Sequence, residues 1–179
     1  MKTLIILEDN NGKIHRMGLE SIVAAQKIAS ALKGSIQAVV IGQNADTLAD
    51  EAASYKLDEV IKIKDPLLDN YSADGYAEAV KQVIDQENPD YVLFGHSYQV
   101  RDYAPKVSAK LMKPFLVDNV AVSIDNGKVV LTKQMFNAKL FSDLKTNGDG
   151  PFLISFQSAA FSSDAANKGS AVIKELNVN

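Results

Sequence analysis

Four short apolar runs, each followed by a helix-like stretch, constrain this chain more than any other feature. Thr3–Leu7, Ser35–Ile41, Glu59–Ile63 and Tyr91–Phe94 are rich in Ile, Val and Leu and are bounded by Gly, Asn or Pro. Runs of that length read as buried strands. The stretches between them carry the period of amphipathic helices. From Leu19 to Leu32, the residues Ile22, Ala25, Ala29 and Leu32 form one stripe, widened by Val23 and Ile28, and Gly34 marks its end. A second helix is expected over Asp46 to Tyr55. A third follows an N-cap at Ser72 and runs to about Gln86, with Tyr76, Val80, Val83 and Ile84 inward. A fourth, capped by Asp102, ends near Leu111. Strands alternating with helices require right-handed crossovers and a parallel sheet. The apolar strands suit a sheet covered on both faces.

The last third changes character. Val117–Ile124 and Lys128–Phe136 flank Asp125-Asn126-Gly127, a strong hairpin signal. Ala138–Lys145 and Pro151–Phe156 complete a set of strands expected to be antiparallel. Residues 157–179 begin with an Ala-, Ser- and Asn-rich stretch that reads as linker or tail, although Ala171–Val178 allows one more strand. The expected fold is α/β, three layers with a mostly parallel sheet plus C-terminal antiparallel strands. Residues 1–156 form its one domain.

Composition removes several function classes. With 19 Lys+Arg against 22 Asp+Glu and no basic cluster, nucleic acid is not an expected partner. No apolar run approaches the roughly 20 residues of a membrane span. The N-terminus has no signal-peptide pattern, so the expected location is the cytoplasm. Zero Cys excludes disulfides, thiolate metal sites and cysteine nucleophiles, and His15 and His96 alone make no two-His metal site. No dinucleotide fingerprint, P-loop or nucleophile elbow is present. No catalytic residue and no metal ligand is therefore assigned.

One segment concentrates polar chemistry at the C-terminal end of a strand. Gly95, His96, Ser97 and Arg101 lie where open parallel sheets bind ligands, and the Glu8–Gly12 loop is expected to face the same cleft. An anion or nucleotide near these residues would use the following helix N-terminus. The plainer reading is that Gly95 permits the turn, Asp102 caps the helix and the rest is solvated. Use of His96 as a hydrolytic base, with Ser97 beside it, is a weaker alternative because triad partners meet in space rather than in sequence. His15 reads as an exposed loop residue. Lys106, Lys110 and Lys113 read as the solvated face of an amphipathic helix.

The segment Gly95-His96-Ser97…Arg101-Asp102-Tyr103-Ala104-Pro105-Lys106-Val107 resembles the GHT…RDLAPRV stretch of electron transfer flavoprotein alpha subunits. Leu116–Val120, Lys133–Leu140 and Leu153–Phe161 fall in order where that family has its later motifs. Lys133 and Gln157 stand where the family has Arg, Ala138 where it has Gly, and Lys139 where it has Asn. The resemblance implies a Rossmann-like domain of the adenine nucleotide alpha hydrolase-like kind, here the N-terminal domain of such a subunit. It implies an electron carrier rather than a catalyst, paired with a beta subunit and serving flavin dehydrogenases such as acyl-CoA dehydrogenase. FAD is implied for the complete complex and not for this chain by itself, whose flavin-binding C-terminal domain is missing. The alternative is a stand-alone adenine-nucleotide-binding domain.

Overall fold

A computed structural model describes residues 1–178. Nine strands form one sheet: β1 (Lys2–Ile6), β2 (Ser35–Ile41), β3 (Glu59–Ile63), β4 (Tyr91–Gly95), β5 (Phe115–Asp125), β6 (Lys128–Met135), β7 (Leu140–Lys145), β8 (Phe152–Phe156) and β9 (Val172–Glu175). Their order is β7-β6-β5-β8-β4-β1-β2-β3-β9. Four helices accompany them: α1 (Arg16–Leu32), α2 (Ala45–Ala53), α3 (Ala73–Glu87) and α4 (Tyr98–Leu111). The expected three-layer α/β fold is what the chain adopts.

The apolar runs become central strands because helices cover both of their faces. On one side α1 and α2 pack Ile22, Ile28 and Leu48 against Ile5, Val40 and Leu93. On the other, α3 and α4 pack Val80, Val83 and Val107 against Leu4, Val39 and Phe94. Alternate residues of each strand therefore enter different cores.

Local expectations shift at several ends. Helix α1 starts at Arg16 rather than Leu19, because His15 is its N-cap and accepts from the Met17 N–H at 3.2 Å. Its left-handed C-cap is Lys33 (φ 53°), not Gly34. Gly34 is required for proximity instead: a Cβ there would lie 2.8 Å from the Met1 carbonyl oxygen. Helix α3 begins after the expected Ser72 cap, whose oxygen accepts from the Gly75 N–H at 3.2 Å.

The larger revision concerns β8. It does not extend the antiparallel set but inserts parallel between β4 and β5. Every residue of Phe152–Phe156 is buried, the pattern of an interior parallel strand. Among the nine described strands, only the β5–β6 and β6–β7 pairs are antiparallel. The insertion is locked at a bulge in β5, where Asp118 takes φ 62°. There the buried Asn119 amide donates to Leu116 O at 2.8 Å and Ser155 O at 2.9 Å.

Residues beyond β8 run back along the body. Phe161 meets Phe156 edge-on at 5.1 Å, and the Gln26 side chain exchanges hydrogen bonds with Asn167. Strand β9 then joins the far edge beside β3, with Leu176 buried.

Candidate functional site

The strand order reverses between β1 and β4: β2 and β3 extend one way from β1, while β8 and β5 lie beyond β4. In open α/β sheets the ligand crevice forms beyond the carboxyl ends of strands at such a reversal. The loop after β1 and the loop after β4 meet there, as expected. The Ser97 hydroxyl donates to the Glu8 carboxylate, a contact that joins the two loops.

The four candidate residues divide by role. Gly95 ends β4 under α1, and a Cβ on it would stand 2.4 Å from Met17 Cβ. Its absence of side chain lets the helix approach the strand. Ser97 is the N-cap of α4, accepting from the Val100 N–H at 3.1 Å. The helix thus starts five residues earlier than a cap at Asp102 would place it, and Asp102 sits within its second turn. His96 turns away from Ser97: its Nδ1 is 2.8 Å from Ser155 Oγ, which also accepts from the Asp118 N–H at 3.1 Å. Burial, with Arg101 and Lys133 nearby, pushes the imidazole below its ordinary range against the opposing pull of Asp118. Arg101 stacks over the Tyr98 ring at 5.6 Å. His96 and Ser97 therefore belong to separate networks, and no hydrolytic triad joins them.

The crevice is acidic. Beside Glu8 lies Asp9, which accepts from the Gly12 N–H at 2.7 Å and from Asn44 Nδ2 at 2.7 Å. Asp69, Asp102, Tyr71, Tyr76 and Tyr98 complete a lining around about 530 Å³. Tyr71 donates to Asp102 Oδ2 at 2.8 Å. Burial and the neighbouring carboxylates raise the Tyr76 phenol to about 12. A phosphate brought to the N-terminus of α4 would meet the Glu8 carboxylate already there, and no lysine or arginine lines the cavity. The flavin diphosphate and the adenine nucleotides fail the same test. The sequence pointed to the loops but not to this sign of charge, because Asp69 and Tyr71 arrive from a turn with no motif.

A second feature escaped the sequence reading. The β6–β7 hairpin exposes Met135, Phe136, Leu140, Phe141 and Leu144. Phe136, Asn137 and Ala138 all take positive φ in its turn, a conformation that costs a non-glycine residue roughly 1–2 kcal/mol. Lys106 and Lys110 lie on the solvated face of α4, as expected, and there tie it to α3 through Asp74 at 2.6 Å and Glu78 at 2.8 Å.

The fold and its crevice define a doubly wound α/β domain whose switch point does not suit phosphate. Within that class, residues 3–179 match the electron transfer flavoprotein domain family, and the chain belongs to it. It is similar to the electron transfer flavoprotein subunit alpha of Bacillus subtilis (strain 168), 36% identical over 140 residues, 78% of this chain and 42% of that protein. The corresponding subunit of Thermoanaerobacterium thermosaccharolyticum is 32% identical over 142 residues, 79% of this chain and 43% of the relative. The acryloyl-CoA reductase electron transfer subunit beta of Anaerotignum propionicum is 28% identical over 126 residues, 70% of this chain and 34% of the relative. The chain spans less than half the length of these relatives. Among the described residues, no helix is long and apolar enough to cross a membrane.

Proposed function

We propose that this domain is the scaffold of an alpha-type electron transfer flavoprotein subunit and docks a beta subunit through the β6–β7 hairpin. The exposed apolar hairpin carries the reading. Phe136 is 71% exposed and Phe141 63%, at the end of a sheet whose central strands are covered. Partner anchors are typically aromatic residues that become buried at the centre of an interface. The strained turn supports it too, since such backbone persists where a local shape is in use.

In this reading the domain is part of a cytoplasmic electron carrier and is not a catalyst. FAD is held by the complete complex. Flavin dehydrogenases of the acyl-CoA dehydrogenase type are the expected electron donors. Gly95, Ser97 and His96 shape the crevice and Arg101 borders it; none of them is a flavin ligand.

Co-purification with the cognate beta subunit, followed by sedimentation velocity, tests the docking. A 1:1 complex is expected. Phe136→Ser with Phe141→Ser should weaken it by tenfold or more. Failure to form a complex, or a complex indifferent to both substitutions, overturns the reading. Titration with AMP or ATP should show no binding tighter than millimolar. Tighter binding would favour the adenine-nucleotide alternative.

A further inference from the structure

We propose that His96 is an acid-sensitive lock on the root of the β5–β6–β7 extension: neutral, it holds the β5 bulge in place through Ser155, and protonated, it loosens that hold. The lock concerns how the hairpin is anchored and stands whether or not the hairpin docks a partner. His96 directly follows β4, and its backbone N–H donates to Phe156 O of β8 at 2.8 Å. Its Nδ1 lies 2.8 Å from Ser155 Oγ, and the Asp118 N–H donates to the same oxygen at 3.1 Å. One chain of contacts therefore links the end of β4, through β8, to the bulge of β5. Up to Asn119, β5 pairs with β8; from Asn119 onward it pairs with β6 and carries the hairpin. The contacts fall where the extension leaves the body of the sheet.

The protons in this chain have one consistent arrangement. A serine hydroxyl has one proton to give and two lone pairs. Ser155 is wholly buried, and its oxygen already accepts from Asp118. Its own proton goes to His96 Nδ1, so the neutral imidazole carries its hydrogen on Nε2. Protonation adds a hydrogen at Nδ1. The Ser155 oxygen then faces two donors, and its own proton is left without that acceptor. A buried hydroxyl in that state is costly, so the network opens. What it releases is strained: Asp118 takes φ 62°, a backbone that a non-glycine residue keeps only where its surroundings hold it. The charged groups that act on the ring are Asp118 of β5, Arg101 of α4 and Lys133 of β6. Burial and the two cations outweigh the carboxylate and hold the imidazole below its ordinary value of 6.5. The unfolded chain thus takes up this proton first. The contribution to stability is full above the unfolded value and declines as pH falls through it toward the folded one.

NMR of the isotope-labelled chain between about pH 8 and 5 tests the lock. Long-range ring correlations should place the hydrogen of neutral His96 on Nε2. Its titration midpoint should lie below that of the same residue in the urea-unfolded chain. The protection of the Asp118 amide against hydrogen exchange should fall by about threefold or more as His96 protonates. Ser155→Ala should abolish this response at Asp118 while His96 still titrates, which separates the lock from a through-space effect of the imidazolium. His96→Gln cannot titrate and should abolish it too; this variant decides the matter if Ser155→Ala does not fold. The proposal is overturned if the neutral ring carries its hydrogen on Nδ1, or if the midpoint matches or exceeds that of the unfolded chain. It is also overturned if Asp118 protection stays constant through the titration, or if the response survives either substitution.

Discussion

Strand β8 and strand β7 are close in sequence and both rich in Leu and Phe, yet they end in opposite environments. All five residues of Phe152–Phe156 are buried, while five of the six in Leu140–Lys145 are exposed. Apolar content separates them only in part, since β7 keeps Leu140, Phe141 and Leu144 beside Asp143 and Lys145. What separates them is the neighbourhood: β8 enters between β4 and β5 with helices above and below, whereas β7 hangs on β6 at the sheet's end. Burying a Phe or Leu side chain is worth roughly 1.5–3 kcal/mol. In the body that energy holds the fold, and in the hairpin it remains available for a partner. A free edge strand is ordinarily a liability, so an apolar one points to use.

The comparison can be broken most directly from the body side. Phe94 is wholly buried on β4, and Phe94→Ala should cost about 3–5 kcal/mol in urea denaturation. A loss under about 1 kcal/mol would mean that the central strands are not the tight core described. Next comes Gly95→Ala. The new methyl would collide with Met17 Cβ and approach the Met17 backbone within 3.1 Å, which should cost about 1–3 kcal/mol. A neutral result would show that α1 is free to lift from β4.

The hairpin should behave in the opposite way. Phe136→Ser with Phe141→Ser should change the chain's own stability by no more than about 0.5 kcal/mol each, as surface substitutions do. A large loss of folded stability would place these rings in the fold rather than in an interface.

The smallest effect is electrostatic. Asp46, in the first turn of α2, holds Lys62 at 2.8 Å and Lys64 at 2.5 Å. Hydrogen bonds from Lys62 and Lys64 lower its carboxyl to about 2, from an ordinary value of 3.8. The unfolded chain therefore binds this proton more readily than the folded one. The contribution is complete above about pH 4 and disappears as pH falls toward 2. Asp46→Asn should flatten the acid limb of the stability curve in that window and leave the slope between pH 5 and 8 unchanged. An unaltered acid limb would show that the bridge is solvated away.

Much of the architecture was readable in the sequence. The alternation of apolar runs with amphipathic stretches defined β1 through β4 and their helices, and Asp125-Asn126-Gly127 marked the β5–β6 turn. The segment holding Gly95, His96, Ser97 and Arg101 runs from the end of β4 into the first turn of α4. Its chemistry was not readable: Ser97 rather than Asp102 caps α4, because the helix begins as soon as β4 ends and Glu8 is there to receive the serine hydroxyl.

These differences share one physical cause. Periodicity along a chain records which face of an element is buried, and turn residues record where it stops. Neither records which distant segment lies alongside. The tertiary structure alone set β8 between β4 and β5 and β9 against β3. It alone gathered Glu8, Asp9, Asp69 and Asp102 into one crevice, and it left Phe136 and Phe141 exposed. Those outcomes depend on packing between residues far apart in the chain, where a strand gains by being covered and a carboxylate's character is decided by the charges brought beside it.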